Sequence, residues 1–151
     1  MDSNFYDRLK DFLNTKDHFC KENGMQILSI GDGVAEAEML ITEHHLNGMR
    51  SVQGGALFTL ADFACAAAIN SFGVAAVSMS ASVSFIRPGI NMKRLTAVAK
   101  LVNRGKTTAV LDVDVLGENG KILLHSMMTG HLSDKPLSDF FRTAVPSGLR
   151  P

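Results

Sequence analysis

The chain has 151 residues with 15 basic and 15 acidic side chains, so its formal net charge at pH 7 is zero. This length is typical of one domain. The sequence has no Lys/Arg cluster longer than a pair, which excludes a basic surface for binding nucleic acid or an anionic membrane. Two cysteines, Cys20 and Cys65, are too few for a disulfide framework and lack metal-ligand spacing. With no signal-like N-terminus and no apolar stretch of membrane-spanning length, we expect a cytoplasmic protein with reduced thiols.

The N-terminal part predicts a peripheral amphipathic helix followed by a β-hairpin. Ser3 can cap a helix that runs to about Glu22, and Gly24 is a stop signal. From residue 25 the hydrophobic period changes to two, and a Gly-Asp-Gly turn at 31–33 joins two strands. Glu36 and Glu38 are expected to point to water.

A central helix is the most informative element. It starts at the pair Gly54-Gly55, runs to about Phe72 and is apolar nearly all round, which indicates burial. At 100° per residue, Thr59, Asp62 and Ala66 share one stripe with the glycine end. A carboxylate there either reaches solvent at an edge of the helix or lies in a partly dehydrated site beside the helix start. The second arrangement suits hydrolysis.

The rest of the chain predicts four antiparallel strands, at residues 77–85, 95–102, 107–116 and 121–132. In the first of them four alternating serines are expected to line one face: Ser78, Ser80, Ser82 and Ser84. The fold class is therefore α+β, with about six strands around one long helix, and exposed sheet edges favour oligomers. We expect an N-terminal helical segment at 1–24, the main domain at 25–133 and a loosely ordered tail at 134–151.

Several short motifs occur together in this chain in a fixed order. They are Asn47, Gln53-Gly54-Gly55, the run Leu57-Phe-Thr-Leu-Ala61, Asp62, Phe85-Ile-Arg87-Pro88 and Arg104-Gly105-Lys106. With these motifs combined in this order, the chain resembles the hotdog-fold acyl-CoA thioesterases from about residue 25 to 133. The resemblance is to the phenylacetate-pathway (PaaI-like) type in particular. The resemblance implies a sheet wrapped around the central helix, homodimers that join their sheets, a dimer of dimers, and active sites at the dimer interface.

The resemblance also implies roles for individual residues. Asp62 would be the nucleophile or general base, and Gly54 would offer its backbone N–H to the thioester oxygen. Asn47 would orient water or substrate, and Ser80 matches a Ser/Thr that relatives place near the lytic water. Gln53 stands where many relatives carry His; Gln forms hydrogen bonds but cannot exchange a proton near neutral pH.

Three basic residues are candidates for contacts to the phosphates of CoA, namely Arg87, Arg104 and Lys106. The acyl pocket is expected to involve the helix and the N-terminal segment, with Met49, Phe58 and Phe63 as candidates. CoA enters as part of the substrate, so no cofactor is expected. No metal site is expected either, because His125 and His131 lie about 20 Å apart on an extended strand.

The expected function is hydrolysis of an aryl- or medium-chain acyl-CoA to the free acid and CoA. A hydratase of the same fold is the second enzyme interpretation, but the Asp and His four residues apart that mark that group are missing here. A catalytically weak acyl-CoA-binding or regulatory protein is the alternative from another class, because Gln53 replaces the usual His. Release of free CoA would separate hydrolysis from binding.

Overall fold

The computed structural model describes residues 3–141 of the chain. Its helices are α1 (Ser3–Lys16), α2 (His18–Glu22), α3 (Gly54–Asn70) and α4 (Ser138–Phe141). Its strands are β1 (Met25–Gly31), β2 (Val34–Leu40), β3 (Val74–Phe85), β4 (Arg94–Arg104), β5 (Thr108–Gly117) and β6 (Ile122–Pro136). A single 3-10 turn, Glu43–His45, lies between β2 and α3.

The described strands form one antiparallel sheet in the order β1-β2-β4-β5-β6-β3. Alternate residues of β5 are buried, as expected for a strand with one face on a core. Helix α3 packs on that face and buries most of its side chains. At Gly130 of β6 a side chain would collide with Ile69 of α3, so the missing side chain lets helix and sheet approach closely. The predicted α+β architecture, with six antiparallel strands and one long central helix, is confirmed.

The N-terminal segment differs from the single helix predicted to Glu22. It forms two helices, because the Asp17 side chain accepts a hydrogen bond from the Cys20 N–H (3.0 Å) and caps α2. A short acidic side chain that bonds nearby backbone in this way favours a helix start over a helix interior. Asn14 links helix α1 to β1. Its Nδ2 donates a hydrogen bond to the carbonyl of Ile27, and its Oδ1 accepts one from the Ile27 N–H.

The prediction that Glu36 and Glu38 both point to water is wrong for Glu38. Its side chain is buried, with Oε2 3.2 Å from Arg94 Nη1 and Oε1 accepting a hydrogen bond from Gln26 Nε2 at 2.5 Å. The neighbouring side chains on β1 and β4 cover the carboxylate, and its partners compensate for the lost water.

The predicted loose tail at 134–151 falls partly within the described residues. Strand β6 continues to Pro136, and α4 follows directly. Leu137 is buried against Phe5 and Leu9 of α1, and the ring of Phe141 lies 5.2 Å from that of Phe12. Residues 142–151 lie outside the described part. Among residues 3–141 no helix is long and apolar enough to span a bilayer.

Candidate active site

Helix α3 presents one accessible stripe. Gly55 is exposed and Thr59, Asp62 and Ala66 are half-buried, whereas most of the helix is buried. The predicted stripe is therefore confirmed. Asp62 is neither fully solvated nor enclosed, which leaves its carboxylate accessible to a substrate.

Ser78 of β3 holds the carboxylate of Asp62. Its Oγ donates a hydrogen bond of 2.6 Å to Asp62 Oδ1. A hydrogen bond of this length to an ionised acceptor belongs to the stronger class in proteins. It uses Oδ1 and leaves Oδ2 without a partner among the described residues, so one carboxylate oxygen can take a proton from a reactant.

A β-bulge at Met79 brings Ser78 to this position. Ser78 pairs with Gly130, while Ser80 pairs with the adjacent Thr129, so one residue of β3 is extra. A bulge of this kind reverses the side-chain alternation. Ser78 therefore faces α3, whereas Ser80 faces the outer side of the sheet. The prediction of one four-serine face is wrong for Ser78, and the structure brings Ser78 rather than Ser80 to Asp62.

Two buried thiols lie close to this carboxylate. Burial, together with the negative charge of Asp62, raises the pKa of the Cys65 thiol to about 12. Burial also raises the pKa of Cys20, with contributions from Asp17 and Asp62. Thiols with raised pKa values stay protonated at neutral pH and are poor nucleophiles. Both cysteines therefore belong to the core rather than to the reactive groups.

The start of α3 is capped by Gln53. Its Oε1 accepts a hydrogen bond from the Gly55 N–H, and its carbonyl accepts from the N–H groups of Ala56 (2.9 Å) and Leu57 (3.2 Å). The Gly54 N–H is then the one amide of the first turn without a partner among residues 3–141. Unpaired amides at a helix start favour negative charge. The geometry thus suits the expected role of Gly54 as donor to a carbonyl oxygen.

Asn47 organises the loop before the helix. Its Oδ1 accepts hydrogen bonds from the N–H groups of Met49 (3.0 Å) and Ser51 (3.1 Å), and its Nδ2 donates to Ser51 Oγ (2.9 Å). An amide nitrogen has two hydrogens, so one donor remains for a ligand. Asn47 and Gln53 lie on the same side of the site as Gly54, ahead of the helix.

Within one chain, Gly54 and Asp62 are too far apart to act on one atom. They are eight residues apart on α3, which corresponds to about 12 Å along the helix axis. A nucleophile and an oxyanion donor must both lie about 3 Å from the reacting group. One chain therefore does not bring Gly54 and Asp62 together at a single reacting group.

The three basic residues expected to contact the phosphates of CoA lie at two opposite ends of the sheet. Arg87 Nη1 donates to the carbonyl of Ile122 (2.8 Å), next to the end of β5 that pairs with β6 through Leu116. Arg104 pairs with Ala109 at the other end of β5 and stacks over Phe72, 4.2 Å from the ring centroid. Lys106 follows in the exposed turn. Seven residues of strand, about 24 Å, separate the two ends.

The acyl-pocket candidates do not form one pocket. Phe63 is buried in the core, Phe58 packs partly on that core, and Met49 is 88% exposed on its loop. Cavities occur elsewhere, including one of about 330 Å³ beside Gln53 and Phe19 and an apolar groove of about 230 Å³ between α1 and β3. No cluster of three or more potential metal ligands is found in the described range, 3–141.

Comparison with known proteins gives a consistent picture. Residues 49–123 match the family model described as "Thioesterase superfamily". Acyl-coenzyme A thioesterase PaaI of Escherichia coli K12 is 41% identical over 105 residues, 70% of this chain and 75% of that protein. A putative esterase of Archaeoglobus fulgidus is 32% identical over 121 residues, 80% of this chain and 79% of that protein.

Solved structures agree. The E. coli PaaI protein from the phenylacetic acid degradation operon superposes with a TM-score of 0.84 and 34% identity, covering 89% of this chain and 97% of that one. A hypothetical thioesterase from Streptococcus pneumoniae, solved with coenzyme A, gives a TM-score of 0.74 at 25% identity, covering 82% and 98%.

Proposed function

Since this chain is a PaaI-like, hotdog-fold member of the Thioesterase superfamily and thus a thioester hydrolase, we propose that it hydrolyses aryl- or medium-chain acyl-CoA in a site shared by two subunits. The E. coli relative is an acyl-CoA thioesterase by name, and the S. pneumoniae relative was solved with CoA. One observation carries the proposal: Ser78 holds an accessible carboxylate, Asp62, about 12 Å from the free amide at the start of the same helix.

A homodimer would join the carboxylate and the amide in one site. Strand β3 lies at an edge of the sheet, with unpaired backbone groups along its outer side. If two β3 strands pair antiparallel about a two-fold axis between Ala81 and Ser82, Ser78 of one protomer lies opposite Phe85 of the partner. Phe85 contacts Gly54, because a Cβ on Gly54 would lie 3.1 Å from its ring. Asp62 would then face the partner's Gly54.

In this arrangement the chemistry follows from the named groups. Asp62 Oδ2 takes a proton from water while the water oxygen bonds to the thioester carbon. The partner's Gly54 N–H donates to the oxygen that becomes negative, and the partner's Asn47 orients water or substrate. The carbon–sulfur bond then breaks, and the CoA thiolate leaves and gains a proton. Direct attack by Asp62, followed by hydrolysis of the resulting anhydride, uses the same geometry. Neither route calls for a bound cofactor.

The same dimer would assemble the basic residues. Pairing β3 antiparallel places the partner's Arg87 at the end of the joined sheet where Arg104 and Lys106 lie. Arginine and lysine at such positions suit the phosphates of CoA. The division of these residues within one chain thus supports a binding surface that spans both subunits.

A catalytically weak acyl-CoA-binding protein is the second candidate, favoured by Gln53. Gln53 caps α3 and has no proton to exchange. An assay with a thiol-trapping reagent separates the two: release of free CoA supports hydrolysis, and saturable binding without release supports the alternative.

The shared site is tested by mixing two inactive variants, Asp62→Asn and Gly54→Val. Each should lose at least about 100-fold in kcat. After joint unfolding and refolding, half of the dimers are mixed and each holds one native site, so about a quarter of the wild-type activity should return. Refolding each variant alone is the control. No recovery in the mixture, with both variants folded, would place the whole site in one protomer.

A further inference from the structure

Two cavities flank the start of α3. The first, of about 320 Å³, is lined by Gly54 and Phe85 and includes Arg87 in its wall. The second, of about 330 Å³, is lined by Gln53 and Gly55 and extends to helix α2, and we call it the α2 cavity. The Gly54 amide lies between them. A thioester whose oxygen accepts from this amide would therefore have one cavity for each of its two ends.

The cavity beside Phe85 is the one that suits CoA. It adjoins the edge strand β3, along which the proposed dimer forms, and Arg87 in its wall suits a phosphate. The α2 cavity lies on the other side of the helix start and remains for the acyl group. No lysine or arginine of the described chain lines it, and Phe19, Met25 and Ala56 form its apolar wall. Such a wall suits a hydrocarbon group.

His45 holds the walls of the α2 cavity together. Its Nε2 donates to the carbonyl of Asn23 at the end of α2 (3.0 Å), and its Nδ1 accepts from the Thr42 N–H (3.0 Å). Its own carbonyl accepts from the Gln53 N–H (2.8 Å). Helix α2 is therefore fixed against the residue that caps α3, and the cavity is preformed.

Phe19 on α2 lines this cavity and is otherwise poorly covered. Its side chain is 64% exposed, more than that of any other phenylalanine among residues 3–141. An apolar ring with this exposure is stabilised when a ligand covers it. On α3 the cavity is bounded by Gly55 and Thr59, which belong to the accessible stripe of that helix. The cavity thus opens beside the helix surface that carries the proposed site.

We propose that the α2 cavity receives the acyl group of the substrate and that Phe19 is a specificity-determining residue. This inference rests on the proposed function. The chain that supplies the Gly54 amide would also supply the acyl cavity, whereas its partner supplies Asp62. A ring or a longer alkyl chain reaches Phe19. An acetyl group does not, because its methyl group extends only one bond, about 1.5 Å, beyond the carbonyl carbon.

A specificity measurement tests the role of Phe19. Phe19→Ala should lower kcat/KM for phenylacetyl-CoA and for hexanoyl-CoA, each relative to acetyl-CoA, about three- to tenfold, because an aromatic contact is lost. Ala56→Leu, which fills the cavity from the α3 side, should lower the same ratios at least about tenfold. Release of free CoA is the assay. Unchanged ratios in both folded variants would overturn the inference.

Phe12→Ala is the matched control, because Phe12 belongs to the same N-terminal segment but lines different cavities. Its ratios should stay within about twofold of wild type. Far-UV circular dichroism verifies that all variants fold. A fall in Phe12→Ala as large as that in Phe19→Ala would trace the effect to a general disturbance of the N-terminal helices and would contradict the role of Phe19.

Mixed dimers show which chain supplies the cavity. In a dimer of Asp62→Asn and Gly54→Val chains, the native site takes its amide from the Asp62→Asn chain. Phe19→Ala should therefore lower the ratio of phenylacetyl-CoA to acetyl-CoA hydrolysis when it is added to that chain, and leave the ratio unchanged on the Gly54→Val chain. The reverse pattern, or equal effects from both chains, would overturn the placement of the acyl group.

A binding measurement separates this inference from the proposed function. Calorimetry with Asp62→Asn protein, with and without Phe19→Ala, compares the affinities for phenylacetyl-CoA and for CoA without turnover. If wild type releases no CoA, the proposed function fails, while weaker binding of phenylacetyl-CoA alone in Phe19→Ala still supports the cavity. If wild type is active and Phe19→Ala changes neither affinity, or both equally, the cavity assignment alone fails.

Discussion

The hydrogen bond from Ser78 Oγ to Asp62 Oδ1 is the contact that defines the chemistry at the scale of single residues. It fixes the orientation of the carboxylate and leaves one oxygen available. Ser78 acts on the reaction through Asp62, so we describe it as a positioning residue. The outward-facing Ser80, two residues later, offers a matched comparison on the same strand.

Ser78→Ala should lower kcat about 10- to 100-fold with a smaller effect on KM, because a charge-assisted hydrogen bond to the reactive group is lost. Ser80→Ala should stay within about twofold of wild type. Steady-state assays of CoA release compare the two, and Ser78→Thr, which keeps the hydroxyl, should recover part of the rate. A larger loss in Ser80→Ala than in Ser78→Ala would reverse our assignment.

Helix α3 shows how much of an element a sequence can reveal. Its glycine start, its apolar surface and the stripe through Asp62 follow from composition and a 3.6-residue period, and all are present. By contrast, the sequence does not predict which face of β3 carries Ser78. A strand of alternating serines gives no local sign of the bulge at Met79, which depends on the register with β6.

Other differences have the same origin in tertiary contacts. In the alternating pattern of β2, Glu38 occupies a position typical of solvent-exposed residues, but Arg94 and Gln26 from neighbouring strands cover it. The basic residues Arg87 and Arg104 look equivalent at strand ends, yet the strand order places them at opposite ends of the sheet. These features depend on how distant segments of the chain pair in the sheet. The hydrophobic periodicity within one segment carries no information about that pairing.

The start of α3 carries a prediction of its own. Gly54→Ala should keep the helix, since alanine is a better helix former, but its methyl group meets the ring of Phe85 beside the free amide. We expect kcat/KM to fall about tenfold or more and the melting temperature to change by only a few degrees. Gly48→Ala, where no atom lies within 4 Å of the added Cβ, is the control. Equal activities of both variants would remove Gly54 from the site.

At the scale of the whole molecule, the proposed dimer would account both for the edge strand β3 and for the separation of Gly54 from Asp62. An edge strand has unpaired backbone groups that can pair with another strand, and one chain does not bring the Asp62 carboxylate to the Gly54 amide. Pairing through β3 would close the edge and complete two sites at once. Stability and activity should therefore depend on protein concentration together.

The buried thiols predict how stability depends on pH. The pKa of Cys65 is raised from its ordinary value of 9.0 to about 12 in the folded protein. The folded state therefore retains a proton that the unfolded chain releases above pH 9, so this contribution is complete below pH 9 and is lost as the pH rises towards 12. The slope is at most about 1.4 kcal/mol per pH unit for each thiol.

Urea unfolding between pH 8 and 11 measures this effect. The free energy of unfolding of wild type should fall above pH 9, and Cys65→Ala should show a shallower fall although its stability at pH 8 is lower. Cys20→Ala should behave in the same direction, because burial also raises the pKa of that thiol. Parallel pH curves for wild type and both variants would show that the thiols do not contribute.

Gln53 gives the amide end of the site a property that an imidazole cap would lack. A carboxamide keeps the same charge in acid and in alkali, so Gln53 itself adds no pH dependence to the first turn of α3. If turnover proves sensitive to acid, the cap of the helix is not the group that responds.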